Sequence, residues 1–160
     1  MSASLRGIDV PHWIAVHGVD DVAPGLYRWP DLSAPLRSAD LRDELERVCL
    51  DQSLAAEAAY VVIAAAPLSA LDDRGYRDAQ LAAGIVEGRL HLAAYALGAS
   101  ASGMTFLDSQ VPALLGGPDD LAALLFTCVG VPEYVSQSGG TPGAPVEVRP
   151  VVPRLAEPRP

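Results

Sequence analysis

The run Ala59-Tyr60-Val61-Val62-Ile63-Ala64-Ala65-Ala66 is apolar without a break and β-branched at its centre. Its length suits a strand. Apolar side chains on both faces predict a strand that lies inside a sheet and is covered on each side. The surrounding apolar run, 58–68, is far shorter than the roughly 20 residues that a bilayer helix needs.

On its N-terminal side, His12-Trp13-Ile14-Ala15-Val16-His17 alternates as a strand does. Asp20-Asp21 and Pro24-Gly25 mark turns, and Leu26-Tyr27-Arg28-Trp29 reads as a second strand. Leu36-Arg37 is expected to return as a short third strand, completing a small meander. The segment from Asp40 to Cys49 is the clearest amphipathic helix: Leu41, Leu45, Val48 and Cys49 share one face, and Ser38 or Asp40 is placed to cap it. Gln52 to Ala58 is Ala-rich and suits a second short helix.

On the C-terminal side, the longest helix is expected from about Asp73 to Leu97, with Gly98 as its stop. Small residues dominate it: Ala79, Ala82, Ala83, Gly84, Gly88, Ala93, Ala94 and Ala96. Glycine costs about 1 kcal/mol against alanine in a helix, so Gly84 and Gly88 call for a packing reason. Ala99 to Phe106 reads as a strand or extended loop. Asp108 is expected to cap a short helix ending near Leu115. Leu121 to Val131 reads as a helix remnant followed by a strand, closed by Pro132. From Ser136 the chain turns rich in Pro and Gly, and Gly139 to Pro160 is expected to be extended. The order of elements predicts an α+β (mixed α/β) sandwich over residues 1–135, a central mixed sheet packed by helices with one long central helix. Residues 136–160 form the expected tail.

The sequence has 160 residues, half of them hydrophobic, with 11 basic and 20 acidic residues and a net charge of −9. That charge repels a phosphate backbone and argues against nucleic acid. No N-terminal stretch joins a basic region to an apolar one, so a soluble, cytoplasmic protein is expected. Cys49 and Cys128 sit in apolar company, with no CxxC or Cys/His cluster, and read as ordinary thiols. His12 and His17 read as strand residues and His91 as a helix-surface residue, with no metal set among them. Leu115-Gly116-Gly117-Pro118 lacks the spacing and lysine of a phosphate loop. The stretch from Ala101 to Phe106 is more suggestive, because small residues there let a flat ligand meet backbone N–H groups.

Several motifs in order resemble the nitroreductase superfamily. Pro24-Gly25-Leu26-Tyr27-Arg28 resembles its "PGLYRY" hairpin. Asp73-Arg74-Gly75-Tyr76-Arg77 is similar to the "RGYR" helix start of the branch that holds the azoline dehydrogenases of thiazole/oxazole peptide biosynthesis. Ala83-Gly84-Ile85-Val86, Arg89-Leu90-His91-Leu92-Ala93-Ala94 and Ala96-Leu97-Gly98 resemble its long central helix. Ser102-Gly103-Met104-Thr105-Phe106-Leu107-Asp108 resembles its "TGLTFYD" loop, and Val129-Gly130 its last core strand. The resemblance runs from about residue 12 to about residue 134.

The resemblance implies FMN bound at a dimer interface and hydride passing between flavin N5 and an organic substrate. It implies cofactor binding by backbone N–H groups of Gly103, Met104 and Thr105, and a homodimer packed through the long helix near Gly84 and Gly88. Three departures stand beside it. The residues before Pro24 carry no Arg-Arg-Ser-x-Arg-like motif to grip the FMN phosphate. Ala70 and Leu71 occupy the places of the azoline dehydrogenases' Lys-Tyr pair. Glu133-Tyr134-Val135-Ser136-Gln137 holds no cation where a basic phosphate contact often follows the last strand. The expected activity is a flavin-dependent oxidoreductase with weak or absent FMN in the isolated chain. The alternatives are a flavin-free partner subunit of this fold and a piece of a longer flavoprotein.

Overall fold

The computed structural model describes residues 4–5 and 8–133. The expected tail at 136–160 and the domain boundary at 135 lie outside the described residues. Two short strands, β1 (Ser4–Leu5) and β2 (Ile8–Asp9), pair as an antiparallel ribbon that the sequence reading did not anticipate. The main sheet is built from β3 (His12–Val16), β4 (Gly25–Arg28), β5 (Tyr60–Pro67), β6 (Ser100–Met104) and β7 (Leu121–Gly130). Its order is β4-β3-β5-β7-β6, and every pairing is antiparallel.

The 59–66 run is therefore the middle strand of five, and its side chains divide between two cores as a period of two requires. Val61, Ile63 and Ala65 face one layer with Trp13, Ala15, Phe126 and Cys128. Val62, Ala64 and Ala66 face the other with Ile14 and Val16. The first layer is closed by α1 (Arg42–Val48), α2 (Leu54–Glu57) and α4 (Val111–Leu115). Leu41, Leu45, Val48 and Cys49 are buried together, as their spacing predicts. The N-cap position falls on Leu41 rather than on the expected Ser38 or Asp40, with no side-chain cap bond; Asp40, one residue outside, accepts the Arg42 N–H at 3.1 Å.

The second layer is α3 (Asp73–Ala96), 24 residues long. Asp72 caps it, its carboxylate accepting the Gly75 N–H at 2.7 Å. Ala79, Ala82, Ala83 and Val86 lie on the sheet. Those alanines let the helix seat close to the strands. Gly84 and Gly88 point the other way, and a Cβ on either would meet nothing within 4 Å. Gly98 ends the helix region with a φ of +73°.

Four expectations change. The expected mixed sheet is antiparallel at every pairing among the described strands. Leu36-Arg37 is not a strand but an isolated bridge, Leu26 with Arg37. Residues 121–130 are strand throughout, with no helix remnant. Their Leu-Ala-Ala-Leu-Leu start favours helix locally, but pairing with β5 and β6 on its two edges wins. Asp108 opens a single 3-10 turn (Asp108–Gln110) ahead of α4 and makes no side-chain cap bond. Among the described residues no helix is long and apolar enough to cross a membrane.

Candidate functional site

Strand β6 is an edge strand. Among the described residues it pairs only with β7, Gly103 opposite Thr127 and Met104 opposite Phe126. In an antiparallel edge, alternate residues direct their N–H and C=O away from the sheet, so the stretch from Gly103 to Thr105 can offer outward backbone donors at alternate positions. Gly103 and Thr105 are exposed. Met104 sends its side chain into the first core, leaving only its backbone at the edge. The three expected site residues are thus brought to one accessible edge, through main chain rather than side chain.

The segment that follows is held firmly. Gln52 Nε2 donates to Thr105 Oγ1 at 3.3 Å, and the Leu107 N–H donates to the Val48 carbonyl at 2.8 Å. Phe106 stacks on Phe126 with ring centroids 4.6 Å apart. The edge is preorganised by α1 and by the core.

On the α3 side, the missing side chain of Gly103 makes room for Glu87. A Cβ there would collide with the Glu87 carboxylate. Glu87 is three-quarters buried, and its Oε1 lies 3.6 Å from His91 Nε2 one turn on. His91 in turn meets the Tyr95 ring edge-on at 6.0 Å. Glu87 escaped the sequence reading. Its i,i+4 spacing to His91 is visible, but its approach to Gly103 exists only in the fold.

The other titratable groups serve the core. His12 and His17 are buried, and burial lowers both imidazoles below their ordinary value. His17 Nδ1 is 3.0 Å from the Ala58 carbonyl, to which it donates as the neutral ring. Burial pushes the Cys49 thiol up to about 11, and Cys128 to about 12 with Cys49 adding to the effect. Neither is bridged. At the opposite side of the sheet, an open groove holds Arg28 stacked 4.1 Å over Trp13.

A flavin ring, which the family resemblance implies, would meet exposed main chain here, at Gly103 and Thr105. Its phosphate is less well served. Arg28 is stacked on Trp13, Arg37 is paired with Glu44 at 2.6 Å, and Arg42 is bonded to the Ala56 carbonyl. Arg47 alone among these four is tied to the loop after β6, through Gln110 at 3.3 Å.

The fold and the edge site define a class: a three-layer α+β protein with an open backbone edge beside its longest helix. The chain is similar to the crystal structure of a protein from Anabaena variabilis assigned as a nitroreductase, at 35% identity and a TM-score of 0.72 over 78% of this chain and 27% of that one. It shares its fold with the McbBCD microcin synthetase complex of E. coli, at 16% identity and a TM-score of 0.62 over 78% of this chain and 52% of that one. It also shares its fold with the NADPH:FMN oxidoreductase of Vibrio harveyi, at 22% identity and a TM-score of 0.53 over 62% of this chain and 49% of that one. The chain belongs to the nitroreductase superfamily. It spans about a quarter to about half of the length of these three proteins. No protein-family model and no curated protein matches it.

Proposed function

We propose that the β6 edge binds the isoalloxazine ring of a flavin, FMN in the working protein, and that the protein is a nitroreductase-type oxidoreductase. The observation that carries this reading is the exposed backbone of Gly103 to Thr105, with no side chain at Gly103, in a chain 35% identical over most of its length to a protein assigned as a nitroreductase. When bound, the flavin supplies the hydride chemistry at N5. The chain's part is to hold the ring's polar edge with backbone donors and to keep that edge rigid through Gln52, Val48 and Phe126.

The motifs at 73–77 and 102–108, and the fold shared with the microcin synthetase complex, support a place near the azoline-forming branch. The absence of that branch's Lys-Tyr pair at Ala70 and Leu71 argues for a different proton-transfer group.

A homodimer through α3 completes the proposal. Leu81, Ile85, Leu92 and Tyr95 are exposed on the same outward side as Gly84 and Gly88. A stripe of large apolar residues around two glycines suits close helix–helix contact. Leu92 is 73% exposed, an unusual state for a leucine in mid-helix.

The test is a titration of FMN and riboflavin, each read by Trp quenching. Both flavins are expected to bind in the micromolar to millimolar range with similar affinity, because Arg28, Arg37 and Arg42 are engaged elsewhere. FMN binding a hundredfold tighter would reveal a phosphate site, with Arg47 and the tail's Arg149 and Arg154 the first places to look. No binding of either flavin would refute the proposal.

A further inference from the structure

We infer that Glu87 is the group that exchanges a proton with the substrate when a hydride passes at this edge. The inference rests on the flavin reading above and supplies what that reading lacks, an acid and base.

Its grounds are geometric. The Glu87 carboxylate lies where a Gly103 side chain would be, against the strand whose backbone edge is the candidate ring site. It is three-quarters buried, yet among the described residues its polar contact is His91 at 3.6 Å, too long for a strong hydrogen bond. It also lies at the seam between α3 and the sheet, beside His12, Val62, Val86 and Thr127. His12 Nε2 is buried there without a partner. A carboxylate so placed has spare acceptor capacity. The titratable groups facing it are His91 from α3 and His12 from β3. Strands β6 and β7 offer Gly103 and Thr127, neither of which titrates.

The proton balance is simple. In the reducing direction a substrate double bond gains a hydride at one atom, supplied by the reduced flavin, and a proton at the other, supplied by the Glu87 carboxylic acid. The carboxylate is left behind and is reprotonated from solvent. In the oxidising direction the substrate loses its hydride to the flavin, and the Glu87 carboxylate takes the proton.

The test uses the riboflavin- or FMN-loaded protein and reads protons rather than turnover. The slope of the flavin midpoint potential against pH, between pH 6 and 8, gives the protons bound per two electrons. A carboxylate beside a ring that gains negative charge binds a proton with it. Wild-type protein is expected to bind more protons per two electrons than E87Q, the difference approaching one. Gly103→Ala, which drives the carboxylate off the strand, is expected to lower the number too. Far-UV circular dichroism checks that each variant folds, and Gly103→Ala stands in if E87Q does not. Equal slopes in wild type and the folded variant, with flavin bound in both, overturn the inference and leave the flavin reading intact. Absence of flavin binding in wild type overturns both.

Discussion

Replacing Gly88 by leucine separates folding from assembly, because the two respond with opposite signs. In one chain a Cβ at Gly88 meets nothing within 4 Å, so leucine fits without strain. Glycine in a helix interior costs about 0.8–1.0 kcal/mol against alanine, and leucine is nearly as good as alanine. The single chain is therefore expected to gain about 0.5–1 kcal/mol. In a two-fold dimer packed through this face, the same change inserts two side chains into a close contact. Overpacking costs about 1–3 kcal/mol per site, hence about 2–6 kcal/mol per dimer, a loss of roughly 30-fold to 20,000-fold in association. The assay is sedimentation velocity over a range of concentrations, paired with urea unfolding at a concentration where both proteins are monomeric. A Gly88→Leu protein that is more stable but monomeric is the expected result. A variant that dimerises like wild type would refute the placement of the interface at Gly88. A wild-type chain monomeric at high micromolar concentration would refute the interface altogether.

Other outcomes follow from the same structure. Gly25 has a φ of +156°, and a Cβ there would sit 2.6 Å from the Arg37 carbonyl oxygen that accepts the Leu26 N–H. Gly25→Ala is expected to destabilise by about 2–4 kcal/mol, from backbone strain and a disturbed bridge, measured by urea denaturation. Because burial lowers His12 and His17 in the fold, the unfolded chain binds protons more readily below the ordinary value of 6.5. Their contribution is thus intact above that pH and lost as pH falls through the lowered folded values. A urea midpoint that does not drop from pH 7 to pH 5, or drops equally in a His12→Gln/His17→Gln double variant, would contradict this. With thiols near 11 and 12, Cys49 and Cys128 hold about one thiolate in a thousand or fewer at pH 8. Alkylation by iodoacetamide should wait for unfolding, and mass spectrometry of the native protein should show neither thiol modified.

The sheet and its layers were legible wherever burial left a period in the sequence. The face at 41, 45, 48 and 49, the unbroken run at 59–66 and the Gly98 stop of α3 all carry local signals. Strand β7 was harder, since both of its faces are covered and its first residues prefer helix. Pairing decides such a segment, and pairing is not written locally. The small residues of α3 were read as one set, but the fold splits them: Ala79, Ala82 and Ala83 against the sheet, Gly84 and Gly88 outward. At the site, Gly103 to Thr105 could be named because a backbone-binding loop leaves a trace of small residues and a resemblance. Glu87 left none. It lies 16 positions from Gly103, on another element, and only the packing of α3 against β6 brings the two together.

A flat ligand seated against the β6 edge touches main chain, and backbone amide resonances report that contact residue by residue. In a two-dimensional NMR titration, riboflavin is expected to shift the amides of Gly103, Met104 and Thr105 first and furthest, with slowed exchange for those that point away from β7. Riboflavin avoids any contribution from a phosphate, so the ring site is tested alone. Shifts that saturate at these three amides would establish the seat. Shifts confined to the groove around Trp13 and Arg28, or no shift at Gly103 at millimolar riboflavin, would contradict it.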